Sequence, residues 1–281
     1  MNTSTTAPVV AGWDASPEAQ LALQRAHERA LEHGLPLQVL IARGDIGRAS
    51  RWADEWSRGL AEEWSELARK QLAELGRPDL VPEVREGTPA EVLVEETRTA
   101  SCVVVGAGGH GPIFGRLLGS VSQHLTRHAA GPVLVVRSGG VDAGPVVAGV
   151  DGSSTSLRAL VFALREGEVR GVPVEVLYVP PRLAGWAYLE GATSTELAHE
   201  LEADEARVRA QVAQVLAAHR GVRASVRTPS GSAAHELARA SEAASLVVIG
   251  SRGAGGFAGL LLGSVANSVL HRSHCPVAVI H

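Results

Sequence analysis

Several residue types are scarce in this 281-residue chain, and each scarcity excludes something. Two cysteines, Cys102 and Cys275, are too few for a disulfide scaffold and read as buried, inert thiols. Lysine occurs once, at Lys70, so nearly all positive charge is arginine. Basic residues do not outnumber acidic ones, and the formal net charge is −4. That balance disfavours tracking a phosphate backbone, so no nucleic-acid partner is expected. No apolar run approaches the roughly 18 residues of a membrane span, so no membrane insertion is expected. The first residues, Met1 to Ala7, carry neither a cationic head nor an apolar stretch, which argues against a secretory signal. Together these features point to a reducing cytoplasm.

What is present is a repeat. Pro8-Val-Val-Ala-Gly-Trp-Asp-Ala-Ser16 returns as Pro145-Val-Val-Ala-Gly-Val-Asp-Gly-Ser153, with seven of nine positions identical. Gly115-Arg-Leu-Leu-Gly-Ser-Val121 returns as Gly259-Leu-Leu-Leu-Gly-Ser-Val265. The spacing divides the chain into residues 1–138 and 145–281, joined by a glycine-rich linker at 139–144. Each half is of a size that supports one core.

Both halves alternate strand and helix signals. Unbroken Val/Ile/Leu runs such as Val9–Gly12 and Leu246–Ile249 imply strands buried on both faces. The helices between them imply a parallel, doubly wound α/β sheet in each half. Ser16 followed by Pro17 predicts a helix start, with Leu21, Leu23, Ala26 and Ala30 as its apolar stripe. Thr88-Pro-Ala-Glu91 predicts a capping box, and Val81–Arg85 and Val222–Arg227 predict weaker strands. Trp52, Trp56, Leu60, Trp64 and Leu67 recur at helical spacing. They form either a ligand-binding aromatic face or a packing face, and packing is the favoured expectation.

The fourth strand of each half runs into glycines that fit Gly-x2-Gly-x9-Gly-Ser. Gly106, Gly109, Gly119 and Ser120 carry the first copy, and Gly250, Gly253, Gly263 and Ser264 the second. Glycines after a strand let a ligand approach the backbone, and Gly-Ser at a helix start offers N–H groups to an anion. The bland alternative is a crossover loop with Ser120 and Ser264 as ordinary N-caps. Asp14 and Asp151 end the first strand of their halves. They suit hydrogen bonds to ribose or a share of Mg²⁺, or an Asx turn at the helix start, and the two roles are compatible.

These residues resemble the universal stress protein family in its tandem, ATP-binding form. The resemblance implies a five-stranded sheet of order 3-2-1-4-5 in each half, with the halves pairing through their last strands, and a homodimer. It implies ATP and Mg²⁺ as ligands and a protein partner in stress regulation. It assigns Gly12, Asp14 and Ala42 to adenine and ribose, and Gly106 and Gly109 to ribose and α-phosphate. Gly119, Ser120, Val121 and Ser122 fall to the outer phosphates. In the second half the same roles fall to Gly149, Asp151, Val179, Gly250, Gly253, Gly263, Ser264, Val265 and Ala266. Trp13, where the second half has Val150, is expected to alter the first pocket.

Nearby cations differ, with His110 and Arg116 in the first loop against Arg252 in the second, so unequal affinities are expected. There is no lysine before either serine, so this is no Walker loop, and no recurring base predicts fast hydrolysis. A slow ATPase or nucleotidyl-transfer enzyme and a ligand-free scaffold remain the alternatives. No Gly-x-Ser-x-Gly elbow is present. His124 and His128, four apart on a helix, read as surface histidines rather than zinc ligands.

Overall fold

A computed structural model describes residues 6–44, 51–108, 118–180, 194–255 and 261–281, with backbone only at 51–54 and 194–198. The chain divides into two compact units. The first is Met1–Gly139 with Pro276–Val279 and His281, and the second is Gly140–Cys275 with Ile280.

The first unit contains β1 (Val9–Gly12), α1 (Pro17–His33), β2 (Leu37–Arg43), α2 (Arg51–Glu74), β3 (Glu83–Glu86), α3 (Pro89–Glu96), β4 (Cys102–Gly106), α4 (Ser120–His128) and β5 (Val133–Val136). Its strands run parallel in the order β3-β2-β1-β4-β5. Right-handed crossovers put α1 and α2 on one face of this sheet and α3 and α4 on the other. The strand order reverses between β1 and β4, which opens a crevice at the carboxyl ends of those strands. The strand runs are apolar because both faces are covered. Val9, Val10, Ala11, Val103 and Val104 are fully buried. On the far side of β5 lies β10 (Val277–Ile280), antiparallel, with Val277, Ala278 and Val279 opposite Val135, Leu134 and Val133. Hydrogen bonding to β10 occupies an edge that β5 would otherwise expose.

Local rules explain the boundaries. Ser16 caps α1 by accepting the Ala19 N–H at 3.1 Å, Pro17 opens the helix, and Gly34 at φ +62° ends it. Ala19, Ala22, Leu23, Ala26 and Ala30 face the core, whereas Leu21, placed in the stripe by the sequence, points outward at 38% exposure. Thr88 caps α3, but Glu91 answers with its carboxylate on the Thr88 hydroxyl (2.7 Å) rather than on the Thr88 N–H. β3 starts at Glu83, later than the apolar residues suggested. It is a polar edge strand, and Gln38 and Arg85 donate to the Glu83 carboxylate at 2.6 Å each.

The second unit contains β6 (Val146–Val150), α5 (Ser154–Arg170), β7 (Val174–Tyr178), α6 (Ser194–Ala218), β8 (Ala224–Arg227), α7 (Ala233–Ala240), β9 (Leu246–Gly250) and α8 (Ser264–Arg272). Its parallel order is β8-β7-β6-β9. The Ser251 N–H donates to Ile280 O at 2.8 Å, as the Ala107 N–H donates to Val136 O at 2.7 Å in the first unit. Both cysteines are buried and unbridged. His124 and His128 stack face to face at 4.1 Å, with a His128 ring nitrogen 2.9 Å from His124 O. Among the described residues no helix is long and apolar enough to cross a membrane.

Candidate functional site

The turn after the first strand is built the same way in both units. The Asp14 Oδ1 accepts the Ser16 N–H at 3.0 Å and its hydroxyl at 2.5 Å, and the Asp151 Oδ1 accepts the Ser153 N–H at 3.0 Å. Each is an Asx turn feeding a capped helix. Between the aspartate and the serine the chain passes through a left-handed residue, Ala15 at φ +62° and Gly152 at φ +80°. Glycine takes that conformation freely, whereas alanine is strained there.

The last glycine of each motif is the N-cap, not the serine. Gly119 and Gly263 are extended, and no side chain among the described residues caps α4 or α8. The expectation of Ser120 and Ser264 as N-caps is therefore corrected, since both are the first helical residues. The glycine N–H groups turn inward, to Ala107 O at 2.7 Å and Ser251 O at 2.8 Å. The next three N–H groups have no partner within their helices. These belong to Ser120, Val121 and Ser122 in α4, and to Ser264, Val265 and Ala266 in α8. Such a triplet at the positive end of a helix is an anion-binding arrangement, and it is made of backbone. That is why Ser122 and Ala266 can stand at the same place. The Ser122 hydroxyl itself is buried and donates to Gly106 O at 2.6 Å, tying α4 to β4.

The first glycine of each motif is filled from behind. A Cβ at Gly106 would lie 2.6 Å from Glu18 Cβ, and one at Gly250 would lie 3.1 Å from Thr155 and Ser156 atoms. The first turns of α1 and α5 thus pack directly on these strand ends. Gly12 and Gly149 are enclosed in the same way, by Leu93 and Val105 and by Leu237 and Ile249.

In the first unit these pieces surround a cavity of about 320 Å³ at the crevice between β1 and β4. Gly12, Asp14, Ala42, Gly106, Val121 and Ser122 line it, so six of the expected positions meet there. Trp13, Trp56, Leu60 and Trp64 line it as well. The expectation that the tryptophan stripe packs on the sheet is corrected for Trp56 and Trp64. The packing face of α2 is instead Ser57, Ala61, Ser65, Ala68 and Leu72, which are buried, while Trp56 is 56% exposed. Trp13 is buried as a wall, and its indole N–H donates to Trp64 O at 2.9 Å. It shapes the pocket without filling it. Arg43 also lines the cavity and pairs with Glu86.

In the second unit the loop is tied down. The Asp151 Oδ2 accepts the Ala254 N–H at 2.8 Å, and the Thr155 hydroxyl donates to Arg252 O at 2.6 Å. A Cβ at Gly253 would lie 2.4 Å from Asp151 Oδ2, so only glycine allows this brace. Burial pushes the Asp151 carboxyl up, but donors from Ser153, Ala254 and Ser156 outweigh it and leave the group below its ordinary value. Val150 replaces Trp13 and is buried. Tyr178 ends β7 with its hydroxyl buried and without a hydrogen-bond partner among the described residues. Burial first, then the charges of Asp204 and Glu205, push that phenol above its usual range. Arg252, Gly253, Ser264 and Val265 are exposed, and Val179 follows β7 directly.

Gly109, His110 and Arg116 lie outside the described residues. Sequence reasoning did not single out Glu18, Arg43 or Thr155. The signal available for Glu18 and Thr155 was their shared place two residues after the capping serines, Ser16 and Ser153.

Known proteins match this chain along both repeats. The universal stress protein family model matches residues 6–137 and 143–281. A universal stress protein of Mycobacterium tuberculosis strain H37Rv is 30% identical over 288 residues, spanning 96% of this chain and 95% of its own length. One from Mycobacterium bovis is 32% identical over 308 residues, spanning 96% and 94%. The crystal structure of a universal stress protein from Archaeoglobus fulgidus superposes with a TM-score of 0.68 at 23% identity, covering 97% of this chain and 95% of that one, a likeness in fold.

Proposed function

The chain belongs to the universal stress protein family, and on that premise we propose that it binds an adenine nucleotide, Mg-ATP, in each unit and acts as a stress-response regulator. Occupancy would set the conformation of the glycine loops and thereby the choice of a protein partner. The observation that carries this reading is the repeated helix start. Two glycine N-caps leave three backbone N–H groups each, on α4 and on α8. The cavity beside the first of these is apolar enough for a purine ring, and Asp14 sits in its wall.

Phosphate charge would be met by Ser120, Val121 and Ser122 in one unit, and by Ser264, Val265, Ala266 and Arg252 in the other. Mg²⁺ would bridge the phosphates and lower their charge, with Asp14 and Asp151 as its protein-side carboxylates, directly or through water. Around the first cavity, the only carboxylate among the described lining residues is Asp14, which already accepts two hydrogen bonds. It is poorly placed to activate water, so the reading is a binding protein rather than a rapid ATPase.

Calorimetric titration of nucleotide-stripped protein with Mg-ATP tests this directly. Two sites per chain with unequal affinities are expected. No heat up to about millimolar ligand, near −4 kcal/mol, would end the nucleotide reading. Turnover approaching the roughly 1–100 s⁻¹ of kinases would replace it with an enzymatic one.

A further inference from the structure

The two units treat ligand charge differently, and the inference drawn from this rests on the nucleotide reading above. In the first unit, α1 presses its opening turn against the end of β4. A Cβ placed on Gly108 would lie 3.6 Å from Glu18 Cδ and from Glu18 Oε1. The Glu18 carboxylate is therefore next to the backbone that enters the phosphate loop. At the matching place in the second unit stands Thr155, an uncharged residue whose hydroxyl holds Arg252 O. The second loop thus opens on a guanidinium-bearing residue, where the first opens beside a carboxylate.

The walls differ in the same sense. Among the described residues, the charged side chains lining the first cavity are Asp14 and Arg43, and Arg43 is already paired with Glu86. The remaining wall is dominated by Trp13, Trp56, Leu60 and Trp64. Aromatic faces stack on any nucleobase regardless of what the ribose carries. A carboxylate beside the phosphate path penalises each added negative charge, most strongly where water is excluded.

We propose that the first site selects a neutral adenine nucleoside over its phosphorylated forms, with Trp56 reading the ring and Glu18 setting the charge preference, while the second site ranks Mg-ATP first. The first half then reports a dephosphorylated adenine compound and the second a triphosphate, so one chain compares the two.

Tryptophan emission separates the halves, because Trp13, Trp52, Trp56 and Trp64 lie in the first repeat and Trp186 alone lies in the second. Full-length, nucleotide-stripped protein is titrated with adenosine, AMP and Mg-ATP, following emission and heat in parallel. Emission is expected to half-saturate with adenosine at a concentration at least about fivefold below that needed with AMP or Mg-ATP. Glu18→Gln is expected to shift the adenosine-to-ATP preference about tenfold toward ATP. Trp56→Ala is expected to weaken adenosine about tenfold, and its exposed position leaves the fold intact. Tighter Mg-ATP than adenosine in the wild-type emission titration overturns the proposal, as does an unchanged preference in Glu18→Gln. Heat from Mg-ATP with no emission response to any ligand removes the proposal and leaves nucleotide binding to the second unit. Neither heat nor emission change with any of the three ligands removes both.

Discussion

In one unit the turn after the first strand passes through Ala15, and in the other through Gly152, at nearly the same positive φ. In one unit the site wall is tryptophan, and in the other the loop is drawn onto an aspartate and a threonine. The frame is common to both, with the same strand order, capped turn and glycine N-cap. What differs is which part of the site is built in advance. The first unit presents a ready apolar wall, and the second presents a ready loop. A duplicated fold can keep the elements that position a ligand while each copy fixes a different portion of it.

The brace on the second loop is where this contrast should break most visibly. Gly253→Ala sets a methyl 2.4 Å from Asp151 Oδ2 and must expel either the carboxylate or the loop. Loss of that charge-assisted bond should cost about 2–3 kcal/mol. Calorimetry should then show the second Mg-ATP site weakened by about thirtyfold or more, with the first unchanged. An equal loss at both sites would mean that the loop brace is not local.

Gly152→Ala comes next. It pays for φ +80° and for a contact of 2.7 Å with Val208 Cγ2, so about 2 kcal/mol of stability should be lost. A fall in denaturation midpoint at constant slope would show it. Asp151→Asn should cost about 1 kcal/mol at neutral pH, a modest figure because the carboxylate is half-exposed and screened. The sign of its pH dependence follows from the depressed folded value. The contribution is present above the unfolded value near pH 4 and is lost as pH falls through the lower folded one. Melting curves of wild type and Asp151→Asn should therefore converge toward pH 3, and curves that stay separated would contradict that linkage. The smallest change runs the other way. Ala15→Gly should relieve strain and gain at most about 1 kcal/mol, because glycine's entropy offsets part of it. A loss of stability there would show that Ala15 is held by its surroundings.

The architecture was legible in the sequence because strands buried on both faces leave unbroken Val/Ile/Leu runs, and the repeat supplied two readings of each element. Helix starts at Ser16, Thr88 and Ser153 were legible because caps depend on adjacent residues. Helix rotation was harder. Periodicity gives the spacing of a stripe, not the neighbour it faces, so the bulk of Trp56 and Trp64 drew attention from the small residues Ser57, Ala61 and Ala68 beside them. Those small residues let α2 lie close to the sheet and turn the indoles toward the crevice. Leu21 failed for a related reason, since apolar residues are common on surfaces. Glu18 and Thr155 were invisible as site residues because their importance comes from contacts with loop positions about 90–100 residues away in the chain. The three N–H groups at each glycine cap were readable from Gly-Ser, although the capping role belonged to the glycine and not the serine.

Strand β10 has a consequence during synthesis. Its partner in the first unit, β5, leaves the ribosome with Val133–Val136, and Val277 follows 144 residues later. At about 5–20 residues per second, β5 waits roughly 7–30 seconds for that neighbour. Through that interval its outer N–H and C=O groups form an open template beside a growing chain that carries a near copy of the same unit. Translation speed across the second repeat therefore sets how long the nascent protein is exposed to mispairing with another copy of itself.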